Sequence, residues 1–336
     1  MKNAVITGGA GFIGTNLAAR LVEDGLRVVV LDDLSRRGSQ RNLSFLRDTY
    51  GRAVRFEHGD VRDTAAVRRA VDCADRVYHL AAQVAVTTSL DDPVADFDVN
   101  LRGTLTLLEA LRRLDDPPFL LFTSTNKVYG ALPDLPLELV AGRWLPADDQ
   151  LREHGLSEER PLDFCTPYGC SKGAADQYVL DYAKSFGLPA TVFRMSCIYG
   201  PHQNGTEDQG WVAHFALQLG SGRPVTVYGD GSQVRDLLYV DDLVEAMQLA
   251  REHERAVTGH AFNIGGGPAN ALAVGEVLEL LDVHGMHHAE ERRGDQRYYV
   301  ADTRRFQRAT GWVPRVEARD GIERLVRFLG PVEAAA

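Results

Sequence analysis

The chain opens on a pattern that few folds accommodate. Ala4-Val5-Ile6-Thr7 reads as a buried strand that runs into Gly8-Gly9-Ala10-Gly11-Phe12-Ile13-Gly14 and then the amphipathic helix 15–22. Glycines let such a turn tighten, and they let backbone N–H groups approach an anion at the helix N-terminus, where the macrodipole favours negative charge. A second apolar stretch, Arg27-Val28-Val29-Val30-Leu31, ends at Asp32, 18 positions after Gly14. A carboxylate at that strand end is placed to hold a ribose hydroxyl pair, so three coinciding features point to a dinucleotide site. Asp32 favours NAD over NADP, because a carboxylate repels a 2′-phosphate. Arg36 and Arg37 follow closely and leave two alternatives, a shelter for such a phosphate or ordinary loop charges.

The alternation of strand and helix continues. Val54-Arg55-Phe56, Arg76-Val77-Tyr78-His79-Leu80, Phe119-Leu120-Leu121-Phe122 and Ala190-Thr191-Val192-Phe193-Arg194 read as strands, and a long helix covers about 93–114. Repeated units of this length imply right-handed crossovers and an α/β, doubly wound parallel sheet, a Rossmann domain. Ligands bind such sheets beyond the carboxyl ends of the strands, where Asp60, Val61, Leu80, Ala81, Ala82 and Thr123-Ser124-Thr125 fall. From about 197 the alternation is less regular, which marks a smaller C-terminal α/β lobe. The expected division is 1–196 with 226–264 for the Rossmann domain, and 197–225 with 265–330 for the second lobe. Between Tyr129 and Tyr168 lies a polar stretch punctuated by Pro133, Pro136, Pro146 and Pro161. At that length, 131–163 is either a functional lid or a surface excursion, with the lid favoured. Glu158-Glu159 within it read as solvated charges or as substrate contacts.

Composition narrows the partners. The 336 residues, 44% of them hydrophobic, are enough to bury a large core without disulfides. The net charge is −10 with basic residues scattered, so neither nucleic acid nor an anionic membrane surface is expected. Met1-Lys2-Asn3 leads too quickly into the glycines for a signal segment, and no apolar run approaches a membrane span, so the expected location is cytoplasmic. Cys73, Cys165, Cys170 and Cys197 lack metal-site spacing and the ten histidines form no ligand pattern, so no metal is expected. Lysine occurs only at positions 2, 127, 172 and 184, which singles out Lys127 and Lys172 in a chain that otherwise uses arginine.

Pro167-Tyr168-Gly169-Cys170-Ser171-Lys172 puts a tyrosine and a lysine one helical turn apart. An ammonium beside a phenol lowers its pKa and makes it a usable base, although the same spacing also occurs on plain solvated helix faces. The Thr125 hydroxyl, just beyond the strand at 119–122, is either a partner for a substrate oxygen facing Tyr168 or an ordinary turn former.

These motifs, with Asn100, Gly103-Thr104, Gly229-Asp230-Gly231-Ser232-Gln233-Val234-Arg235-Asp236 and Arg292-Arg293-Gly294-Asp295, resemble the extended short-chain dehydrogenase/reductases that act on nucleotide sugars. The resemblance spans nearly the whole chain. It implies catalytic Tyr168, Lys172 and Thr125, and NAD held by Gly8, Gly11, Phe12, Ile13, Gly14, Asp32, Asp60, Val61, Leu80, Ala81 and Ala82 together with Tyr168 and Lys172. It also implies a nucleotide-diphosphate sugar held by Gln83, Ser124, Asn126, Cys197, Arg235 and Arg292. Trp211 and Tyr228 read as base contacts or as core. Many members place an asparagine where Cys197 stands, and Cys197 reads first as a buried neutral thiol. Members commonly form homodimers through the helices at about 93–114 and 168–186.

Within the family, Thr125-Asn126-Lys127-Val128-Tyr129-Gly130, the residues 167–178 and Asp208-Gln209-Gly210-Trp211-Val212 are similar to the branch that inverts C2 of a CDP-linked 3,6-dideoxyhexose. The 4,6-dehydratases carry Asp-Glu after the catalytic threonine, and uronate decarboxylases a glutamate where Lys127 stands. Epimerisation is therefore expected. The alternatives are a UDP- or GDP-sugar 4-epimerase and, behind it, a net dehydrogenase or reductase.

Overall fold

The structure is a computed structural model that describes residues 3–283, 285–292 and 294–330. Arg293, part of the motif at 292–295, lies outside the described residues. In the first part of the chain the strands are β1 (Asn3–Thr7), β2 (Arg27–Asp32), β3 (Val54–His58), β4 (Arg76–His79), β5 (Phe119–Thr125), β6 (Leu137–Val140) and β7 (Arg143–Pro146). They continue with β8 (Ala190–Met195), β9 (Cys197–Tyr199), β10 (Val225–Tyr228), β11 (Val234–Tyr239), β12 (Ala261–Ile264), β13 (Ala271–Ala273), β14 (Met286–Ala289) and β15 (Tyr298–Tyr299). Seven of them form one parallel sheet in the order β3-β2-β1-β4-β5-β8-β12. The order reverses between β1 and β4, and a crevice opens where the chain leaves the sheet in opposite directions.

The apolar alternation along each strand explains the layers. Ala4, Ile6, Tyr78, Leu121 and Phe193 point to one face and pack under the helix Phe12–Glu23 and the helix Val240–Glu252. Val5, Val77, Leu120, Phe122 and Val192 point to the other, under Gly103–Leu111 and the helix Thr166–Phe186. Both faces are covered, as a doubly wound sheet requires.

Three details differ from the sequence reading. Strand β5 extends through Thr125, because Thr123, Ser124 and Thr125 keep pairing with Phe193, Arg194 and Met195. The helix expected at 93–114 is Pro93–Phe97 and Gly103–Leu111 joined by a π-helical turn, Asp98–Arg102, an irregularity often found beside functional sites. Strands at 225–228 and 234–239 do not join the Rossmann sheet. β10 pairs with β14, and β11 pairs with β13, β15 and β9, around a separate core that includes Tyr199, Phe215, Val227, Leu237 and Ile322.

The segment 131–163 is docked rather than loose. Its hairpin β6–β7 and the short helix Asp149–His154 cover a core of Tyr129, Leu156, Tyr299 and Val300. Its backbone is tied down by Trp144 N–H to the Ser232 carbonyl (3.0 Å) and Leu156 N–H to the Val300 carbonyl (2.8 Å). Glu158 accepts the Asn263 N–H (2.7 Å), while Glu159 is exposed.

Candidate active site

A cavity of about 800 Å³ runs along the carboxyl ends of β1, β2, β4 and β5 and continues under the smaller lobe. Every cofactor, substrate and catalytic residue expected from sequence lines it; no residue of 131–163 does, so the lid reading is replaced by a structural one. Its first half is built on the glycine loop. Gly8 has φ +68°, and a Cβ there would stand 2.7 Å from the Ala81 nitrogen, while one at Gly14 would stand 2.5 Å from the Gly8 carbonyl oxygen. Only bare backbone brings strand, turn and helix this close. No side chain caps the helix that starts at Phe12, which leaves its N-terminal N–H groups toward the cavity beside Gly11, Ile13 and Gly14.

Asp32 closes the same cradle. Its carboxylate accepts N–H bonds from Ala10 (3.0 Å) and Leu34 (2.8 Å); burial raises its pKa and these bonds pull it back. Asp60 is held low by the Arg62 guanidinium, with Val61, Leu80, Ala81 and Ala82 completing the wall. An anion-ready helix start, a buried carboxylate and a floor of small residues suit a dinucleotide. Arg36 also lines the cavity, and its charge reaches Tyr168, which places it at the site rather than among plain loop charges.

The middle of the cavity carries the catalytic candidates. Pro167 occupies the first turn of the helix Thr166–Phe186, and Thr166 enters it at φ +67°, a conformation rare for a β-branched residue. Thr125 and Tyr168 line the cavity together, and the Thr125 hydroxyl, which donates to Asn126 Oδ1 (3.3 Å), works to lower the phenol. Lys172 donates to the Thr123 carbonyl (2.5 Å) and lies 4.2 Å from the centre of the Phe122 ring. The lowered phenol expected from the Tyr168–Lys172 spacing is not what the chain's own groups produce. Burial pushes Tyr168 up to about 12, and the Thr125 hydroxyl and the Arg36 charge offset this only in part. Burial likewise brings Lys172 down to about 7, against the upward pull of Asp176 and Asp96.

Behind them lies a buried polar cluster centred on Asp96, the one member that sequence reasoning missed. Ser171 Oγ donates to Asp96 (2.5 Å), and Asn100 Nδ2 donates to Asp96 (3.1 Å), to Ser171 Oγ (3.1 Å) and to the Gln83 carbonyl (3.0 Å). Gln83 lines the cavity with its side chain bonded to Ala85 and Asp96. The spacing of Asp96 and Asn100, one turn apart, was the available signal.

The second half carries both signs of charge, Lys127, Arg235 and Arg292 against Glu207, Asp208 and Asp295. Arg235 pairs with Asp295 (2.7 Å), and the Lys127 ammonium reaches the same oxygen (3.3 Å) and the Gly294 carbonyl (3.2 Å). Burial works to raise the Asp295 carboxyl, yet the two cations hold it down at about 2. Arg292 lies 3.7 Å over the Tyr228 ring and bonds the Glu207 carbonyl (3.0 Å), so Tyr228 faces the cavity with it. Asn126 is tied to Gln296 (3.4 Å), whose amide also reaches the Gly130 carbonyl (2.7 Å). The Ser124 hydroxyl is buried at the wall with no partner among the described residues. Cys197 is half-buried rather than buried, and burial of its thiol beside Trp211 raises its pKa.

The sequence pattern of the NAD dependent epimerase/dehydratase family matches residues 4–265. The chain is 41% identical to the CDP-paratose 2-epimerase of Salmonella typhi, over 96% of this chain and 97% of that one. It is 36% identical to a dTDP-glucose 4,6-dehydratase of Streptomyces griseus, over 96% and 93% of the two chains. Its fold is similar to that of the UDP-glucose 4-epimerase of Thermus thermophilus solved with NAD, with a TM-score of 0.80, 32% identity, and 97% and 98% of the chains covered. A glycine cradle for a dinucleotide, a Tyr168–Thr125 pair at its end and two arginines beyond it thus agree with the match along the chain, which belongs to the NAD dependent epimerase/dehydratase family and takes NAD as its cofactor.

Proposed function

We propose that the protein is an NAD-dependent epimerase that inverts C2 of a CDP-linked deoxyhexose by transient oxidation to the ketone and reduction from the opposite face. The observation that carries this is that Thr125 and Tyr168 line one cavity together, between the glycine cradle and the Arg235–Arg292 end. NAD, when bound, supplies the hydride acceptor and returns the same hydride, so the cycle has no net redox change. Thr125 aligns the sugar hydroxyl. Tyr168 takes its proton as the carbonyl forms and gives it back as the carbonyl is reduced. Lys172, fixed on the Thr123 carbonyl, holds the cofactor's ribose side of the site. Arg235 and Arg292 grip the diphosphate through planar guanidinium groups, and Gln83, Ser124, Asn126 and Cys197 border the sugar.

The likeness to a dehydratase does not extend to the chemistry, because Asn126 and Lys127 follow Thr125 and neither is a carboxylic acid. A UDP- or GDP-sugar 4-epimerase is the second reading, supported by the similarity to the Thermus thermophilus enzyme. The division we infer gives 3–130, 166–196 and 240–264 to the cofactor half, and 197–239 and 265–330 to the sugar half, with 131–163 bridging them. We further infer a homodimer through 93–114 and 168–186, where Val94, Phe97, Tyr178 and Phe186 are exposed, and a cytoplasmic location.

The test is a panel of nucleotide sugars deuterated at the ring carbons, followed by NMR. Deuterium at the inverted carbon should stay within the molecule; washout into water would replace hydride return with deprotonation. Tyr168→Phe should lower kcat by about 10²–10⁴-fold with NAD still bound, and full activity in it would remove the mechanism.

A further inference from the structure

C2 and C4 of a hexose differ in one respect that a protein can exploit. C2 is bonded to the anomeric carbon, which carries the diphosphate, whereas C4 lies across the ring. An enzyme with the same tyrosine and threonine therefore selects its carbon by how near to them it anchors the sugar-proximal phosphate. Arg292 is held on Tyr228 and the 207–208 segment, in the smaller lobe. Lys127 is different. Its backbone N–H donates to the Thr125 hydroxyl (3.2 Å), so the residue is locked next to the catalytic candidate.

Its side chain is equally fixed. Lys127 lines the cavity, and its ammonium spends two of its three donors on the Gly294 carbonyl and Asp295. Asp295 accepts from Lys127, from Arg235 and from the Gln296 N–H with the same oxygen. One carboxylate between two cations leaves a net positive charge, with Lys127 at the Thr125 side and Arg235 beyond it. Burial favours the neutral amine and Asp295 counters it, so an arriving phosphate would strengthen the charged form. We propose that Lys127 is the specificity-determining residue of this site: its ammonium holds the sugar-proximal phosphate beside Thr125 and so presents C2, rather than C4, to Tyr168. This rests on the C2-epimerase reading above.

The experiment uses the NAD-loaded protein and its Lys127→Met and Lys127→Arg variants. CDP binding is measured by calorimetry, and single turnovers are run with CDP-linked 3,6-dideoxyhexose deuterated at C2 or at C4. Lys127→Met is expected to bind CDP about 10-fold more weakly, the loss of one charge-assisted hydrogen bond, and to transfer C2 deuterium about 100-fold more slowly. It should also begin to move deuterium from C4. Lys127→Arg should recover CDP affinity to within about 3-fold. Retained NAD checks folding, and Lys127→Gln takes the place of Lys127→Met if the latter loses it. Wild-type protein that moves C2 deuterium, with a Lys127→Met variant unchanged in CDP affinity and rate, overturns the inference alone. Wild-type protein that moves C4 deuterium instead overturns the C2 reading and this inference with it.

Discussion

Tyr168 shows why a short sequence motif underdetermines its chemistry. The spacing to Lys172 places both side chains on the helix, but the ammonium is committed to the Thr123 carbonyl and the Phe122 ring, and burial keeps the phenol neutral. The folded value of about 12 lies above the ordinary value of 10.0, so between them the folded chain binds the proton and the unfolded chain does not. Stability from this group is therefore fully present below about pH 10 and is lost as pH rises toward 12. With the nucleotide removed, the difference absorbance between wild type and Tyr168→Phe should show no phenolate signal until well above pH 10, and the variant should lose part of the alkaline slope of stability. A phenolate already present near pH 8 would contradict this. The same logic identifies what a bound ligand must do: it has to lower the phenol by more than the Thr125 hydroxyl and the Arg36 charge achieve unaided.

At the scale of elements, the helix Thr166–Phe186 is held in place by a buried ion pair. Arg194 on β8 makes a two-point contact with Asp176 (2.9 and 3.0 Å), and its remaining nitrogen donates to Tyr129 Oη (3.1 Å), which in turn donates to Asn263 (2.7 Å). Two strands, the turn after β5 and the catalytic helix thus meet at one buried cluster. Asp176→Ala should cost about 3–5 kcal/mol in urea unfolding, since it leaves the Arg194 charge buried and unpaired; a loss below 1 kcal/mol would mean the pair is dispensable. The strands and the helix were legible in the sequence because apolar periodicity is a local signal. The length of β5 was not, because Thr123, Ser124 and Thr125 look like a turn until Phe193, Arg194 and Met195 are known to lie beside them. Asp96 offered only its one-turn spacing to Asn100: an acid on a helix otherwise reads as solvated, and only the fold brings Ser171 onto it.

For the whole molecule, the glycine loop, Asp32 and the Tyr168 pair could be read as one site because the doubly wound sheet sends all its strand ends to one edge. The role of 131–163 could not, since its prolines and polarity match a lid as well as a strap. Its contacts decide for the strap. The Leu156 carbonyl accepts from Asn263 Nδ2 (2.8 Å), beside the Rossmann sheet, and from the Asp302 N–H (2.9 Å), and Arg143 reaches Glu276 (2.5 Å) in the smaller lobe. The Leu156 side chain is fully enclosed among Tyr129, Tyr299 and Val300. Leu156→Ala should therefore lower unfolding stability by about 2–5 kcal/mol. Because no residue of the segment lines the cavity, kcat and KM measured well below the Tm should stay within about 3-fold of wild type. Unfolding followed by NAD release and by near-ultraviolet circular dichroism should remain a single coincident transition, since the strap links both lobes. A lid would give the opposite result, lost turnover with stability unchanged, and that outcome would return 131–163 to the active site.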